Sequence, residues 1–407
     1  MGGYMVKKVA LVGLNNFNNM GDQVIAETTQ YLVQRDREDQ IESYFVDISP
    51  YDSYCAVYLP LRFRIFNLFK KLEALFFGQN APLQNAPLRR SIYYLQKTAW
   101  KIKLYKYYKQ QLEKADAVVF SGGGFIKFRT QELNYLVDMI IQISMNKGIP
   151  VMMSAMGVEG YSQTDPRCQQ LKTAINRPCV KVITTRDHLL LLNKEYIVNP
   201  SIITDLVGDP AFYSPECYQI EKKQSNVVGI GVIRSDIFLK YGIAYSENEV
   251  LKLYQEILMD LEKRKINWLL FSNGLTSDYQ FGIKLLDSLG MDKRKYMPRP
   301  EETKDFVKMI SEFDAIIGAR LHACITAYSL DIPVIGLVWN EKLKLFGELI
   351  GKQDNYIEVE QLNAHHIVDS LERVRNDRYD IKQRNELKIL TTLYIDKFLN
   401  NFIEVIR

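Results

Sequence analysis

An arginine and a histidine, two residues apart, follow an apolar run near the middle of the C-terminal half. They belong to Gly318-Ala-Arg320-Leu-His322, and the preceding run, 313–317, predicts a buried strand. Residues 321–330 predict a helix that begins at this motif. A helix N-terminus favours an anion through its exposed N–H groups and its dipole. Arg320 adds a fixed charge and His322 can move a proton near neutral pH, so the motif predicts an anion site with an acid/base group.

The segment around the motif predicts a βαβ unit. Gly318 permits a tight exit from the first strand, and 333–337 is typical of the next one. In such units ligands bind beyond the carboxyl ends of the parallel strands. Lys342, five residues past the second strand, could enter the same pocket or could simply be solvated.

Alternating strand and helix patterns along the chain predict an α/β fold with parallel sheets. We predict an N-terminal Rossmann-like domain over 1–205, a linker over 206–225 and a C-terminal Rossmann-like domain over 226–375. A last helix within 376–407 is expected to brace the first domain. Two doubly wound domains facing across a cleft would place a ligand where both sets of strand ends converge.

Other segments also follow predicted strands. The loop after the first strand is rich in asparagine, whose amides suit sugar hydroxyls, and a Ser-Gly-Gly-Gly turn lets backbone N–H groups approach an anion or a sugar. Simpler explanations exist: a polar loop with Asp22 as helix N-cap, or glycines that only make a turn. Arg234 could be a second clamp on the anion. The residues expected to line the acceptor side of the cleft are Asn16, Asn19, Gly21, Asp22, Gly122, Gly123, Gly124 and Arg186.

The remaining histidines and the cysteines give no second site. His365 and His366 lie in a polar segment where exposure is expected, and His188 is typical of a helix start. The five cysteines show no C-x-x-C spacing, so we expect neither structural zinc nor a disulfide framework. We predict no metal and no cofactor, because no clustered His/Asp/Glu ligand set occurs.

Positive charge is concentrated in residues 58–109. This segment contains eleven Lys/Arg, one acid and twelve aromatic residues, so it carries about +10 and the rest of the chain about −6 of the net +4. Basic helices with interleaved aromatics suit an anionic membrane surface, although ordinary surface helices share this composition. No nucleic-acid-binding module accompanies the segment, and no nucleic acid is expected as a partner. Without a membrane span or signal peptide, we predict a cytoplasmic protein that could act at the inner face of the plasma membrane.

Several motifs together resemble the polysaccharide pyruvyl transferase family. In chain order they are Asn19-Met-Gly-Asp22, Ser121-Gly-Gly-Gly124, Thr185-Arg-Asp187, Gly208-Asp-Pro210 and Gly318-Ala-Arg-Leu-His322. The resemblance implies a fold like that of the GT-B glycosyltransferases. It also implies transfer of a pyruvyl group from phosphoenolpyruvate onto a sugar of a surface or capsular polysaccharide, as a cyclic ketal. Trp339 in place of a tyrosine, and the size of 58–109, depart from the family pattern on the acceptor side.

The residues suit this reaction on chemical grounds. Phosphoenolpyruvate is a multiply charged anion, which guanidinium groups and backbone N–H donors bind. Ketal formation also requires a proton at the methylene carbon. We assign His322 and Arg320 to catalysis, and Arg320, Arg234, Lys342 and Gly318 to donor binding. The expected acceptor is a galactose-like hexose, which could be lipid-linked.

Two other functions are compatible with the sequence. A nucleotide-sugar glycosyltransferase of the same fold would need an acidic residue for the ribose, and Glu341, on a predicted loop, is the nearest candidate. A non-catalytic peripheral membrane protein of glycan assembly would keep the fold without turnover. Protection against unfolding by phosphoenolpyruvate or by sugar nucleotides distinguishes the two enzymes, and phosphate release that depends on a saccharide distinguishes an enzyme from a scaffold.

Overall fold

The structure is a computed structural model that describes residues 6–14, 19–49, 104–128 and 133–404. The chain divides into two compact units. The first comprises Met1–Asn15, Thr29–Gly208 and Leu390–Arg407, and the second comprises Asn16–Thr28 and Asp209–Ile389. Most of the basic segment 58–109 lies outside the described residues, so its predicted membrane role stays a prediction.

The first unit is built on a parallel sheet of six strands, accompanied by a separate pair of short strands. The strands are β1 (Lys7–Gly13), β2 (Ile41–Asp47), β3 (Ala117–Ser121), β4 (Ile126–Lys127), β5 (Val151–Met156), β6 (Val158–Glu159), β7 (Val180–Thr185) and β8 (Ile203–Leu206). The order in the main sheet is β2-β1-β3-β5-β7-β8, and β4 pairs with β6. Every residue of β3 and β5 is buried, as in parallel sheets covered on both faces.

The second unit contains a parallel sheet of five strands. They are β9 (Val228–Gly231), β10 (Trp268–Phe271), β11 (Ala315–Gly318), β12 (Val334–Leu337) and β13 (Tyr356–Ile357), in the order β10-β9-β11-β12-β13. The chain starts in β9, adds β10 on one side and then β11 on the other. The strand order therefore reverses between β9 and β11, and ligands of doubly wound sheets bind at such a switch point. The first sheet reverses in the same way between β1 and β3.

Helices connect the strands of both sheets. They are α1 (Met20–Gln34), α2 (104–111), α3 (Asn134–Lys147), α4 (Pro166–Ile175), α5 (Leu189–Leu191, continued as a π turn over Leu192–Tyr196), α6 (Ser214–Tyr218), α7 (Ile237–Lys240), α8 (Glu247–Lys263), α9 (Thr276–Leu289), α10 (Thr303–Ser311), α11 (Leu321–Ser329), α12 (Glu341–Leu349), α13 (Ala364–Val374) and α14 (Ile381–Ile403). Local sequence explains their ends. For example, Ser246 and Glu249 form a capping box that begins α8.

The prediction of an α/β fold with two Rossmann-like parallel sheets is confirmed. The predicted linker, 206–225, contains the boundary between the two units and is helical over part of its length. Asp209 accepts a hydrogen bond from the Ala211 N–H and caps a 3-10 turn, Pro210–Tyr213, whose four residues are buried and which leads directly into α6. Pro210, one of the residues that suggested a linker, begins this turn, because proline is pre-organised for the first position of a helix.

The last helix, α14, begins in the second unit, and its residues from Leu390 onward belong to the first. There Asp396 pairs with Arg37, a fully buried guanidinium, at 2.5 Å. The Tyr394 hydroxyl donates to Asp205 at 2.5 Å and the Thr391 hydroxyl to the Gly208 carbonyl at 2.9 Å. These bonds tie the helix to Arg37, between α1 and β2, and to residues at and after β8. Within the described ranges, no helix is long and apolar enough to cross a membrane.

Candidate active site

The Gly-Ala-Arg-Leu-His motif forms the turn between β11 and α11. Gly318 ends the strand, and a Cβ added there would lie 2.9 Å from the Cys324 sulphur, so the turn packs tightly over the helix. Arg320 occupies the N-cap position with extended backbone, and its side chain does not cap the helix. The guanidinium is therefore available for contacts with neighbouring elements.

Arg320 forms a side-on ion pair with Asp278. Its Nε donates to Asp278 Oδ2 and its Nη2 to Oδ1, both at 2.8 Å. The Asp278 side chain is fully buried, whereas that of Arg320 is 18% exposed. Among the hydrogen bonds found in the described chain none uses Nη1, the outer edge of the guanidinium. The inner edge of Arg320 is thus fixed by protein, and the outer edge faces away from its partner.

Trp339 supports the same turn from the end of β12. Its indole N–H donates to the Ala319 carbonyl at 2.5 Å, and its ring centre lies 5.9 Å from the Arg320 guanidinium carbon. The Tyr241 ring packs edge-on against the indole, 4.7 Å between centroids. The residue that departs from the family pattern therefore packs against the motif.

Arg234 follows β9, on the other side of the switch point. Its backbone N–H donates to Asp278 Oδ1 at 3.0 Å. Its side chain, one third exposed, has Nε 3.1 Å from Oδ1 of Asp236, which is equally exposed. Nε is itself buried, and no hydrogen-bond acceptor lies in line with it in the described residues. Arg234 is thus held through its backbone and only loosely through its side chain.

His322 lies directly against the backbone of Gly21. A Cβ built on Gly21 would lie 2.3 Å from His322 Nδ1 and 2.5 Å from its Cγ, far inside van der Waals contact. Gly21 is the second residue of α1, so the imidazole packs against the first turn of that helix, with its Nε2 buried. Only glycine leaves room for this approach. The structure thereby brings together two motifs that are three hundred residues apart in sequence.

Hydrogen bonds hold the first turn of α1 in the second unit. The Met20 N–H donates to the Asn273 carbonyl at 3.0 Å, and the Asn19 amide donates to the Asp22 carboxylate at 2.6 Å. Asp22 is therefore not the N-cap that we considered, because the helix begins two residues earlier, at Met20. Further along α1, Glu27 accepts from Tyr218 and Thr303 hydroxyls at 2.9 and 2.7 Å. Burial, followed by the nearby Glu27 carboxylate, raises the pKa of Tyr218.

The sequence matches the polysaccharide pyruvyl transferase family over residues 19–341. The chain belongs to this family. It is thus a transferase of the pyruvyl transferase type, from a family of polysaccharide biosynthesis. No curated protein sequence matches it.

Similar solved structures agree with the two-domain GT-B fold. A Listeria monocytogenes protein assigned as a UDP-N-acetylglucosamine 2-epimerase has a TM-score of 0.60 and 10% identity, with 98% of each chain covered. The UDP-GlcNAc 2-epimerase of Neisseria meningitidis, bound to UDP-GlcNAc, has a TM-score of 0.53 and 14% identity, covering 98% of this chain and 100% of its own. That of Methanocaldococcus jannaschii has 0.52 and 13%, covering 95% and 99%. Identities this low establish the fold alone.

Two further residues predicted for this pyruvyl transferase family member follow β12. Glu341, expected on a loop, instead begins α12, because the Asn340 side chain accepts from the Leu343 N–H and caps the helix. Glu341 is exposed, and Lys342, in the first turn, is half-buried. The donor-binding role of Lys342 stays a prediction.

The other predicted acceptor residues lie in the first unit. Gly122 and Gly123 follow β3 with φ of 61° and 83°, a region that favours glycine, and the Gly122 N–H donates to the Ser154 carbonyl at 2.9 Å. Gly124 continues this turn, and the buried Arg186 follows β7. Asn19, Gly21 and Asp22 belong to the second unit with His322, and Asn16 lies outside the described residues. The acceptor role of this set stays a prediction.

The remaining histidines and Cys324 differ from His322 in their surroundings. His365 and His366 are exposed on α13, as predicted, and His365 lies 3.3 Å from Asp260. His188 immediately precedes α5, also as predicted. On α11, one turn from the motif, burial raises the pKa of the Cys324 thiol, which is fully buried. Cys324 is therefore a neutral packing residue and not a nucleophile.

Proposed function

We propose that this protein transfers the pyruvyl group of phosphoenolpyruvate onto a galactose-like hexose of a surface polysaccharide precursor, forming a cyclic ketal. One observation carries the proposal. In a member of the pyruvyl transferase family, an arginine with an open outer edge and a histidine begin the same helix at the switch point of a parallel sheet. An anionic donor and a proton-transfer step both require such a pair.

The donor would bind between the loops after β9 and β11. Arg320 would offer its outer edge to the phosphate or carboxylate, and the buried Nε–H of Arg234, which lacks an acceptor in line among the described residues, would gain one. The partly exposed Asp236 could be displaced at little cost, because ion pairs close to the surface contribute only about 0–1 kcal/mol. Lys342 and the turn at Gly318 complete the proposed donor side.

His322 would supply the proton for the first step. It protonates C3 of phosphoenolpyruvate while a sugar hydroxyl bonds to C2 and loses its own proton. The C2–O bond to phosphate then breaks, and a second hydroxyl bonds to C2 and closes the ring. The two hydroxyl protons balance the one given to C3 and the one that leaves on phosphate. Because Gly21 contacts the imidazole, the turn at Asn19 and Asp22 is the proposed binding point for the sugar hydroxyls.

The test is incubation with phosphoenolpyruvate and an oligosaccharide that carries a terminal hexose. We expect phosphate release that requires the saccharide, and a product heavier by one pyruvate less one water. His322→Ala should lower kcat with little change in donor binding, whereas Arg320→Ala should weaken donor binding. Normal turnover by His322→Ala would show that another group donates the proton.

A parallel thermal-unfolding experiment separates the two transferase classes. Phosphoenolpyruvate should raise the unfolding temperature, and sugar nucleotides should not, because only a ligand that binds the native state stabilises it. Stabilisation by a sugar nucleotide alone would favour a glycosyltransferase. Absence of turnover with either donor, over a panel of saccharides, would favour the non-catalytic role.

We also propose that residues 58–109 bring the enzyme to a lipid-linked acceptor at an anionic membrane surface. The charge of about +10 on this segment supports the proposal. Flotation with liposomes should show binding that increases with the fraction of anionic lipid. Equal flotation with neutral and anionic liposomes would remove this proposal and leave the proposed reaction untouched.

A further inference from the structure

The carboxylate of Asp278 joins the two loops at the switch point of the second sheet. Asp278 lies in the first turn of α9, after β10, and is fully buried. Oδ1 accepts from the Arg234 backbone N–H and from Arg320 Nη2, and Oδ2 accepts from Arg320 Nε. One side chain thus fixes the start of one arginine loop and the guanidinium of the other.

Asp278 cannot itself contact a ligand, because none of its side chain is exposed. Its influence must pass through Arg320 and the loop of Arg234. A bidentate pair with a carboxylate fixes the plane of the guanidinium. With Nε and Nη2 held on the inner side, Nη1 is directed to the outer side, where the donor is proposed to bind.

This arrangement lowers the entropic cost of ligand binding. A free arginine side chain loses rotamer entropy when it is immobilised. In this protein the ion pair has already ordered Arg320, so an incoming anion meets a group in its bound orientation. The Trp339 ring beside the guanidinium supports the same orientation.

We infer that Asp278 is a positioning residue. It holds the Arg320 guanidinium side-on, so that the outer edge of the guanidinium and the loop of Arg234 contact the donor together. The inference rests on the proposed function, since it concerns how that donor is oriented. Asp278 is the only residue in the described chain whose carboxylate bonds to both loops.

The Asp278→Asn variant distinguishes an effect of charge from an effect of orientation, because the two predict opposite changes in activity. Loss of the negative charge would strengthen attraction of Arg320 for an anion. Loss of the two-point bond would let the guanidinium turn, and small misplacements of a catalytic group cost about 10- to 100-fold in rate. We expect kcat to fall about 10- to 100-fold, with KM for phosphoenolpyruvate no higher than in the wild type.

A double-mutant cycle tests whether Asp278 acts through Arg320. The wild type, Asp278→Asn, Arg320→Lys and the double variant are compared by kcat/KM in the phosphate-release assay. We expect the double variant to equal Arg320→Lys within about twofold, because coupled residues are not additive. Independent, multiplying effects would overturn the inference. Asp287→Asn is the matched control, since Asp287 lies on the same helix with an exposed carboxylate, and it should behave as wild type.

A second measurement needs only a folded wild type and the Arg320→Lys variant. In a 15N NMR spectrum, the Arg320 Nε–H, identified by its loss in Arg320→Lys, should exchange with solvent far more slowly than the Nε–H of Arg294, whose side chain is 92% exposed. Equally rapid exchange would overturn the inference even if Asp278→Asn failed to fold. A wild type inactive with phosphoenolpyruvate but protected at Arg320 would instead contradict only the proposed function.

Discussion

Arg320 and Arg234 follow adjacent parallel strands, yet the protein holds them in different ways. Arg320 makes two hydrogen bonds to a fully buried carboxylate. The Arg234 side chain has one ion-pair contact, at 3.1 Å, with an aspartate that is 36% exposed. The backbone of Arg234, in contrast, is bonded to the same buried Asp278. The guanidinium of Arg320 is thus fixed by its ion pair, whereas Arg234 is fixed through its backbone alone.

The difference indicates distinct roles at one anion site. A fixed guanidinium imposes an orientation on its ligand, because its hydrogen-bond directions are already set. A loosely held one can move towards the ligand and contributes mainly charge. We therefore expect Arg320 to define the orientation of the donor, and Arg234 to adapt to whichever oxygen remains.

Unfolding experiments should show the largest contrast between the two arginines. Arg320→Ala leaves Asp278 buried without its counter-charge, and breaking a buried pair from one side costs about 3–5 kcal/mol. Arg234→Ala removes a partly exposed pair, which should cost at most about 1 kcal/mol. Urea denaturation of both variants measures the free energies of unfolding. Equal losses would mean that Arg320 is no more firmly held than Arg234.

The sequence predicts this region only in part. Arg320 and His322 could be found because both lie in one motif at a strand end, and Arg234 because it follows an apolar run. The bonds from Asp278 could not, because an acid in the first turn of a helix is ordinary. Nothing local indicates that this acid, 42 residues before Arg320, is buried beneath two other loops.

Prediction of the fold from the sequence has the same limit. Apolar runs located β9, β10, β11 and β12, whose residues are mostly buried, and the parallel α/β class followed from their alternation with helices. The short strand β8 fell at the edge of the predicted linker, where only two of its four residues are apolar and none is buried. Close packing between distant segments, such as Gly21 on His322, is likewise not encoded in a local pattern.

Gly21→Ala should have the next largest effect, and it tests whether the Arg320 loop is as rigid as its bonds suggest. The added methyl would lie 2.3 Å from His322 Nδ1, so the imidazole or α1 must move. If the loop is rigid, misplacement of the proton donor should lower kcat about tenfold or more, with donor KM little changed. Gly148→Ala is a useful control, because an added Cβ there meets no atom within 4 Å.

The two glycine variants should separate an effect on the reaction rate from an effect on stability. Gly148 has φ of 70°, so its alanine variant is expected to lose some stability while kcat stays near wild type. Gly21→Ala should show the reverse, a loss of rate that exceeds any loss of stability. Wild-type kcat in Gly21→Ala would mean that the loop yields easily and that Arg320 is not part of a rigid unit.

The smallest expected effect concerns Cys324, whose ionisation reports whether water reaches the side chains packed beneath the Arg320 loop. Burial raises the pKa of this thiol in the native state, whereas the pKa of a thiol in the unfolded state is about 8.5. The native state therefore keeps a proton that the unfolded state releases, and stability falls as pH rises above about 8.5, by up to about 1.4 kcal/mol per pH unit.

In urea denaturation between pH 7.5 and 9.5, Cys324→Ala should lose stability with a shallower slope than wild type. Its packing defect is independent of pH and shifts the whole curve. Parallel curves would show that water enters beneath the motif, and the contrast between the two arginines would then rest on the hydrogen bonds of Asp278 alone.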